Sequence, residues 1–168
     1  MSRRSWYLIL GLALALHNGE EALRATEMLH FMQSDAPGFL RDVYAGITIS
    51  ELRGSLLILT AIAFLGIVVA AVFSSAAASA FGMMALAALL GLNAVFHIVL
   101  SIQAGAGMPG LVTALLISLP VSATLLRRAR QQRWVSARAF WTVLPVAVLI
   151  HGPILDAVFR VSLRLMRD

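Results

Sequence analysis

Long apolar runs separated by short polar connections organise the whole chain. Five runs predict helices at about 6–23, 54–73, 80–103, 111–126 and 139–159. An α-helix needs roughly 20 predominantly apolar residues to cross the hydrocarbon core of a bilayer, and most of these runs approach that length. The pattern therefore predicts an all-α fold, a polytopic membrane helix bundle with about five transmembrane helices, in a single domain over residues 1–168.

The first run differs from the others because its purely apolar part is short. Residues 6–16 cannot span a bilayer alone, so a spanning helix must also contain the polar string His-Asn-Gly-Glu-Glu at 17–21. The alternative is a helix that ends early and leaves both glutamates at the level of the lipid headgroups. A polar loop over about 24–53 follows, in which Pro37 and Gly38 break any helix.

Composition supports the membrane assignment and narrows the class of partner. The chain is 60% hydrophobic and 12% charged, whereas a soluble domain carries about 25% charged residues. All 13 basic residues are arginines, and the net charge is +5. These arginines stand at helix ends and in one loop, where they can contact lipid phosphates, so membrane lipids and no nucleic acid are the expected partners. Their distribution favours an N-terminus in the cytoplasm.

Polar side chains occur inside three of the predicted helices. His17, Glu20 and Glu21 follow an i, i+3, i+4 spacing, which places them on one helix face. Asn93 and His97 are four residues apart in the third predicted helix and also share a face. Ionisable groups inside a bilayer are energetically costly and usually functional. A bound cation, a proton on one glutamate, or an ion pair with Arg24 would each offset the cost.

These groups have the chemistry of a metal site. Imidazole and carboxylate both bind Zn and Fe, so the sequence predicts a divalent metal ion of one of these kinds. The predicted ligands come from three helices: His17, Glu21, His97 and His151. The predicted catalytic residues are Glu20, Glu21 and Asn93. In this interpretation the glutamate that does not bind the metal acts as general acid or base, and the asparagine orients the substrate. The alternative is that the histidines and the asparagine only form hydrogen bonds between helices.

Two short motifs resemble a known family. HNGEE at 17–21 has the form H-x-x-E-E in the first apolar helix, and NAVFH at 93–97 has the form N-x-x-x-H in a later one. Together they resemble the HXXEE-domain family of small bacterial integral membrane proteins. The resemblance implies a location in the bacterial inner membrane and an enzymatic activity whose reaction is not established. It also implies signature positions at His17, Glu20, Glu21, Asn93 and His97.

Three functional hypotheses follow. The first is a membrane-embedded, metal-dependent enzyme, of hydrolase or oxidoreductase type, that acts on a lipid or another apolar small molecule. The second is a metal-free acid–base isomerase or cyclase of isoprenoid-like substrates. The third is a small proton- or ion-coupled transporter, which with five spans would need to form a homo-oligomer. In each, Glu21 is expected to point inward with His17, and Glu20 is expected to face Arg24 or carry a proton.

Overall fold

The computed structural model describes residues 3–73 and 76–167, and in this part of the chain it contains helices and no strand. The predicted all-α fold is confirmed. The helices are α1 (Arg3–Leu23), α2 (Ala25–Ser34), α3 (Gly38–Tyr44), α4 (Ile49–Phe73), α5 (Ala76–Ala104), α6 (Leu111–Thr113), α7 (Leu119–Gln131), α8 (Ala137–Leu149) and α9 (Leu155–Arg167). Two π-helical turns connect neighbouring helices without a break. Ala114–Ser118 connects α6 to α7, and Ile150–Ile154 connects α8 to α9.

Within the described residues, four segments are long and apolar enough to cross a membrane, which indicates a membrane protein. They are Ile49–Val72, Ala76–Ala104, Leu111–Gln131 and Ala137–Met166. The fifth predicted span, α1, has 21 residues but is not apolar enough to join them. The reason is the polar string at 17–21, which occupies its C-terminal end.

The predicted polar loop at about 24–53 is largely helical, because it contains α2 and α3. The break between them falls at Pro37, as the sequence predicts. Helix α4 begins at Ile49, five residues before the predicted start at Gly54. A capping box explains this early start: the backbone N–H of Thr48 donates to Glu51 Oε2 at 2.7 Å, and the Glu51 N–H donates to Thr48 Oγ1 at 3.3 Å.

A proline lies in or just after each π-helical turn, whereas Pro145 lies inside α8 without one. Pro120 and Pro153 have no N–H, so each leaves the carbonyl four residues earlier without its usual helical partner. The helix widens locally instead of ending, and such π-helical turns often lie at functional sites. The second turn contains His151. The predicted helix at 139–159 therefore continues without interruption through His151 and Gly152.

The apolar core is divided into two clusters along the bundle. One cluster joins α1, α5, α7 and α8 around Leu10, Met83 and Leu125. The other joins α2, α4 and α9 around Met32 and Leu52. The polar groups of α1 and α5 lie between these clusters, where α1 packs against both α4 and α5. The fold thus buries a polar layer within an otherwise apolar bundle.

Candidate metal centre

Two imidazoles and one carboxylate converge where α1 faces α5. His17 and Glu21 lie one turn apart on α1, His97 lies on α5, and all three are buried. His97 Nε2 lies 2.9 Å from Glu21 Oε1, and His17 Nε2 lies 3.9 Å from the same oxygen. One potential ligand atom from each residue lies within 4.8 Å of the other two. The three groups are close enough to hold one metal ion between them.

Asn93 connects this cluster to the last membrane segment. Its amide nitrogen donates to His17 Nε2 at 2.6 Å, and its amide oxygen accepts from His151 Nε2 at 3.0 Å. His151 therefore lies one residue further out than the other two histidines. The structure brings it to the site through Asn93 but not into the group of three converging ligand atoms.

Glu20 points away from its neighbour, toward the start of α6. Its carboxylate accepts hydrogen bonds from the backbone N–H of Gly110 at 3.1 Å, and from the N–H and hydroxyl of Thr113 at 2.9 and 2.7 Å. The first turn of a helix leaves such N–H groups without partners, and a carboxylate there is favourable. Arg24 is further away, with Nη1 at 3.8 Å, and is closer to Glu27. Glu20 thus meets Arg24 as expected, but its main partners belong to α6.

The hydrogen bonds of Thr113 determine which nitrogen of His17 carries the proton. The Thr113 hydroxyl has one proton, and both acceptors near it, Glu20 at 2.7 Å and the Gly110 carbonyl at 3.2 Å, can only accept. The His17 Nδ1 atom, 2.9 Å from the same hydroxyl, must then be the donor. The lone pair of His17 consequently lies on Nε2, which faces the cluster. In metal sites the second imidazole nitrogen is typically held in this way.

Gly110 closes the site from the loop between α5 and α6. Its φ is +88°, in the left-handed region that favours glycine. A Cβ atom at this position would lie 2.6 Å from His97 Cε1 and 3.1 Å from His17 Cε1. The backbone therefore packs directly against both imidazoles. His97 Nδ1 is buried there without a hydrogen-bond partner among the described residues.

A cavity of about 630 Å³ opens beside the cluster. Most of its wall is aliphatic or aromatic, contributed by α1, α2, α3, α4, α5 and α9. The polar part of the wall includes Glu21, Asn93, His97 and His151, so the cluster meets the cavity through these residues. Tyr44 lines the cavity from α3, and burial, with the charges of Glu21 and Asp156, raises the pKa of its phenol. A phenol is neutral at ordinary pH with or without this shift, so Tyr44 can donate a hydrogen bond.

Sequence reasoning did not identify Gly110 and Thr113 as site residues. The glycine lies in the connection between the predicted helices at 80–103 and 111–126, and the threonine lies in the second of these helices with no motif around it. No signal in the single sequence marks the threonine. The helix start next to Gly110 could have marked that loop as a place where a carboxylate binds.

The chain is therefore an all-helical membrane protein whose interior holds a buried cluster of two histidines and a glutamate that can hold a metal ion. Residues 8–125 match the family described as "Protein of unknown function with HXXEE motif". This match covers more than half of the chain, and the chain belongs to the HXXEE family. No curated protein and no solved structure matches the chain.

Proposed function

We propose that the protein is a membrane-embedded, metal-dependent enzyme that acts on a lipid or another apolar small molecule. The observation that carries the proposal is the buried group of His17, Glu21 and His97, whose ligand atoms lie within 4.8 Å of one another beside an apolar cavity. Two imidazoles and a carboxylate form a donor set suited to zinc or iron. Zinc in such a site activates water for hydrolysis, whereas iron supports oxidation.

The hydrogen bonds around His17 support its role as a ligand. Its Nδ1–H is held by Thr113, and Thr113 in turn is held by Glu20, so the ring orientation and the position of the proton are both fixed. In the absence of a metal, the Nε2 lone pair accepts from the amide of Asn93. Ligation would require this amide to release Nε2, which leaves Asn93 free to orient a substrate at the cavity wall.

The two glutamates of the motif take different roles in this proposal. Glu21 faces the imidazoles and the cavity, so it serves as ligand or as general base. Glu20 was predicted to be catalytic, and that role stays a prediction. Its three hydrogen bonds to Gly110 and Thr113 favour a positioning role, in which it acts on His17 through the threonine.

The cavity supports an apolar substrate. Small-molecule sites typically combine a mostly hydrophobic wall with a few placed polar groups and volumes of about 300–1,000 Å³. The cavity here has that character, and the cluster contributes part of its polar lining through Glu21, Asn93, His97 and His151. A substrate with a hydrocarbon body and one reactive polar group would place that group against Glu21 and His97.

Metal analysis of the detergent-purified protein tests the proposal. The wild type, reconstituted with zinc or iron(II), should retain about one ion per chain after gel filtration, and His17→Ala should retain little. His30→Ala is the matched control, because His30 is an exposed histidine on α2, outside the cluster, and its loss should change nothing. Wild type without retained metal, or equal losses in both variants, would contradict the proposal.

One observation favours the metal-free alternative, an acid–base isomerase or cyclase. In the cluster, His97 Nε2 donates to Glu21 at 2.9 Å and Asn93 satisfies His17, so only His97 Nδ1 lacks a partner among the described residues. A His–Glu pair of this kind can move a proton at the cavity wall without a metal. Activity or ligand binding that survives thorough chelation would select this alternative; loss that one added metal restores would exclude it.

A further inference from the structure

The corner between α7 and α8 carries positive charge that no ion pair among the described residues compensates. Five arginines crowd into twelve residues: Arg127, Arg128, Arg130, Arg133 and Arg138. The sequence has no acidic residue between Glu51 and Asp156. Accordingly, none of the five forms an ion pair with any residue that the structure describes. An anion from outside the chain is the natural partner of such a cluster.

The corner is also shaped as a site. A cavity of about 560 Å³ is lined by Arg130, Arg133, the N-terminus of α8 and the aromatic pair Phe140 and Trp141. The Arg130 guanidinium lies 5.2 Å from the ring centre of Trp141 and 5.8 Å from that of Phe140. Stacking on these rings holds the cation in place while leaving its N–H groups free at the edges.

The backbone holds a second arginine at the cavity in a conformation that favours glycine. Arg133 has a φ of +50°, the left-handed value common just after a helix C-terminus. The turn is fixed because the Trp134 N–H donates to the Ala129 carbonyl at 3.0 Å and the Trp134 ring is buried in the core. An arginine at this position is less favourable for folding than glycine, which points to a use for its side chain.

The corner lies where a lipid headgroup would be. It joins two segments that can each cross a membrane, Leu111–Gln131 and Ala137–Met166, so it sits at the membrane surface. Trp141 is 60% exposed beside the arginines, as is typical of residues at the boundary between headgroups and acyl chains. We propose that this corner binds the phosphate of an anionic phospholipid through Arg130 and Arg133, with Trp141 against the glycerol and acyl region of the lipid.

Lipid titrations followed by native mass spectrometry test this site on the full chain in detergent. Dioleoyl-phosphatidylglycerol should bind wild type more tightly than dioleoyl-phosphatidylcholine does. Arg130→Gln and Arg133→Gln should each weaken the phosphatidylglycerol complex about fivefold, as expected for one arginine at a lipid surface. Arg41→Gln is the matched control, since Arg41 is an exposed arginine on α3 near the opposite end of the bundle. Equal weakening by all three variants, or equal affinity for the two lipids, would overturn the proposal.

Two further experiments complete the test. The first distinguishes a lipid site from a site for free phosphate, and the second distinguishes a loss of binding from a loss of folding. Inorganic phosphate at the same concentration should neither bind detectably nor compete with phosphatidylglycerol; competition would assign the site to free phosphate and overturn the lipid proposal. Arg133→Gly removes the charge but suits the left-handed backbone, so it should raise the thermal unfolding temperature while weakening phosphatidylglycerol binding. Unchanged phosphatidylglycerol affinity in that stable variant would also overturn the proposal.

Discussion

Replacing Gly110 by alanine perturbs the site at its tightest contact. The new Cβ would lie 2.6 Å from His97 Cε1 and 2.9 Å from His97 Nδ1, closer than real Cβ contacts. The ring cannot move away freely, because His97 is buried and its other nitrogen is hydrogen-bonded to Glu21 at 2.9 Å. The substitution therefore has to shift either the imidazole or the loop that carries Gly110.

The expected loss of folding free energy has two contributions, backbone strain and steric overlap, which can be measured separately. A non-glycine residue in the left-handed region costs about 1–2 kcal/mol, and forcing extra atoms into a packed interior costs about 1–3 kcal/mol. Gly110→Ala should therefore destabilise the fold by roughly 2–5 kcal/mol. Gly105 provides the control for strain, since its φ is +64° but a Cβ there would meet nothing within 4 Å. Gly105→Ala should show only the first part.

The effect of Gly110→Ala on stability is measured by thermal unfolding in detergent, followed by tryptophan fluorescence. Its effect on the site is measured by the metal content of the purified protein. Gly19→Ala is a second control, because Gly19 lies in α1 with open space around it. Alanine at this helical position should stabilise the protein by about 0.5–1 kcal/mol. The expected order of unfolding temperatures is Gly19→Ala, wild type, Gly105→Ala, Gly110→Ala, with retained metal reduced only in the last. Equal losses at positions 105 and 110 would refute the packing of this loop against the imidazoles.

Three more predictions concern the polar groups around the imidazoles. Thr113→Val should lower metal affinity about 10–100-fold in a chelator competition, because it removes the hydroxyl that holds the first imidazole, while Thr113→Ser should retain wild-type affinity. Glu20→Gln and Arg24→Ala should destabilise additively to within about 0.5 kcal/mol in a double-mutant cycle, since their 3.8 Å contact is partly exposed; a coupling well above 1 kcal/mol would contradict this. Glu21→Gln should keep the unfolding temperature near that of wild type but lose metal, and full metal retention would remove this residue from the ligand set.

Much of the candidate site could be predicted from the sequence, because helical periodicity determines which side chains share a helix face. The i, i+4 spacings place His17 with Glu21 and Asn93 with His97, and each pair does share a helix face toward the same interior. The cost of polar groups among apolar neighbours indicated that the two faces should meet. The H-x-x-E-E motif was also recognisable in the sequence, and membership of the family is confirmed.

The contacts between distant segments could not be predicted in the same way. The partners of Glu20 lie about 90 residues along the chain, and no periodicity relates them. Their meeting depends on the path of the loop before α6, which is set by Gly110 and by packing against the imidazoles. The start of α4 was missed for a different reason, since the T-x-x-E signature at Thr48 and Glu51 is local and was present in the sequence.

An anomalous difference map would show directly whether a metal ion binds between α1 and α5. Crystals of the protein supplied with zinc or iron(II) should be measured above and below the absorption edge of that metal. We expect one strong peak between His17 Nε2, His97 Nε2 and the Glu21 carboxylate, with the Asn93 amide no longer hydrogen-bonded to His17. A map without a peak at that point, or with its strongest peak elsewhere, such as at His30, would contradict a metal centre between α1 and α5.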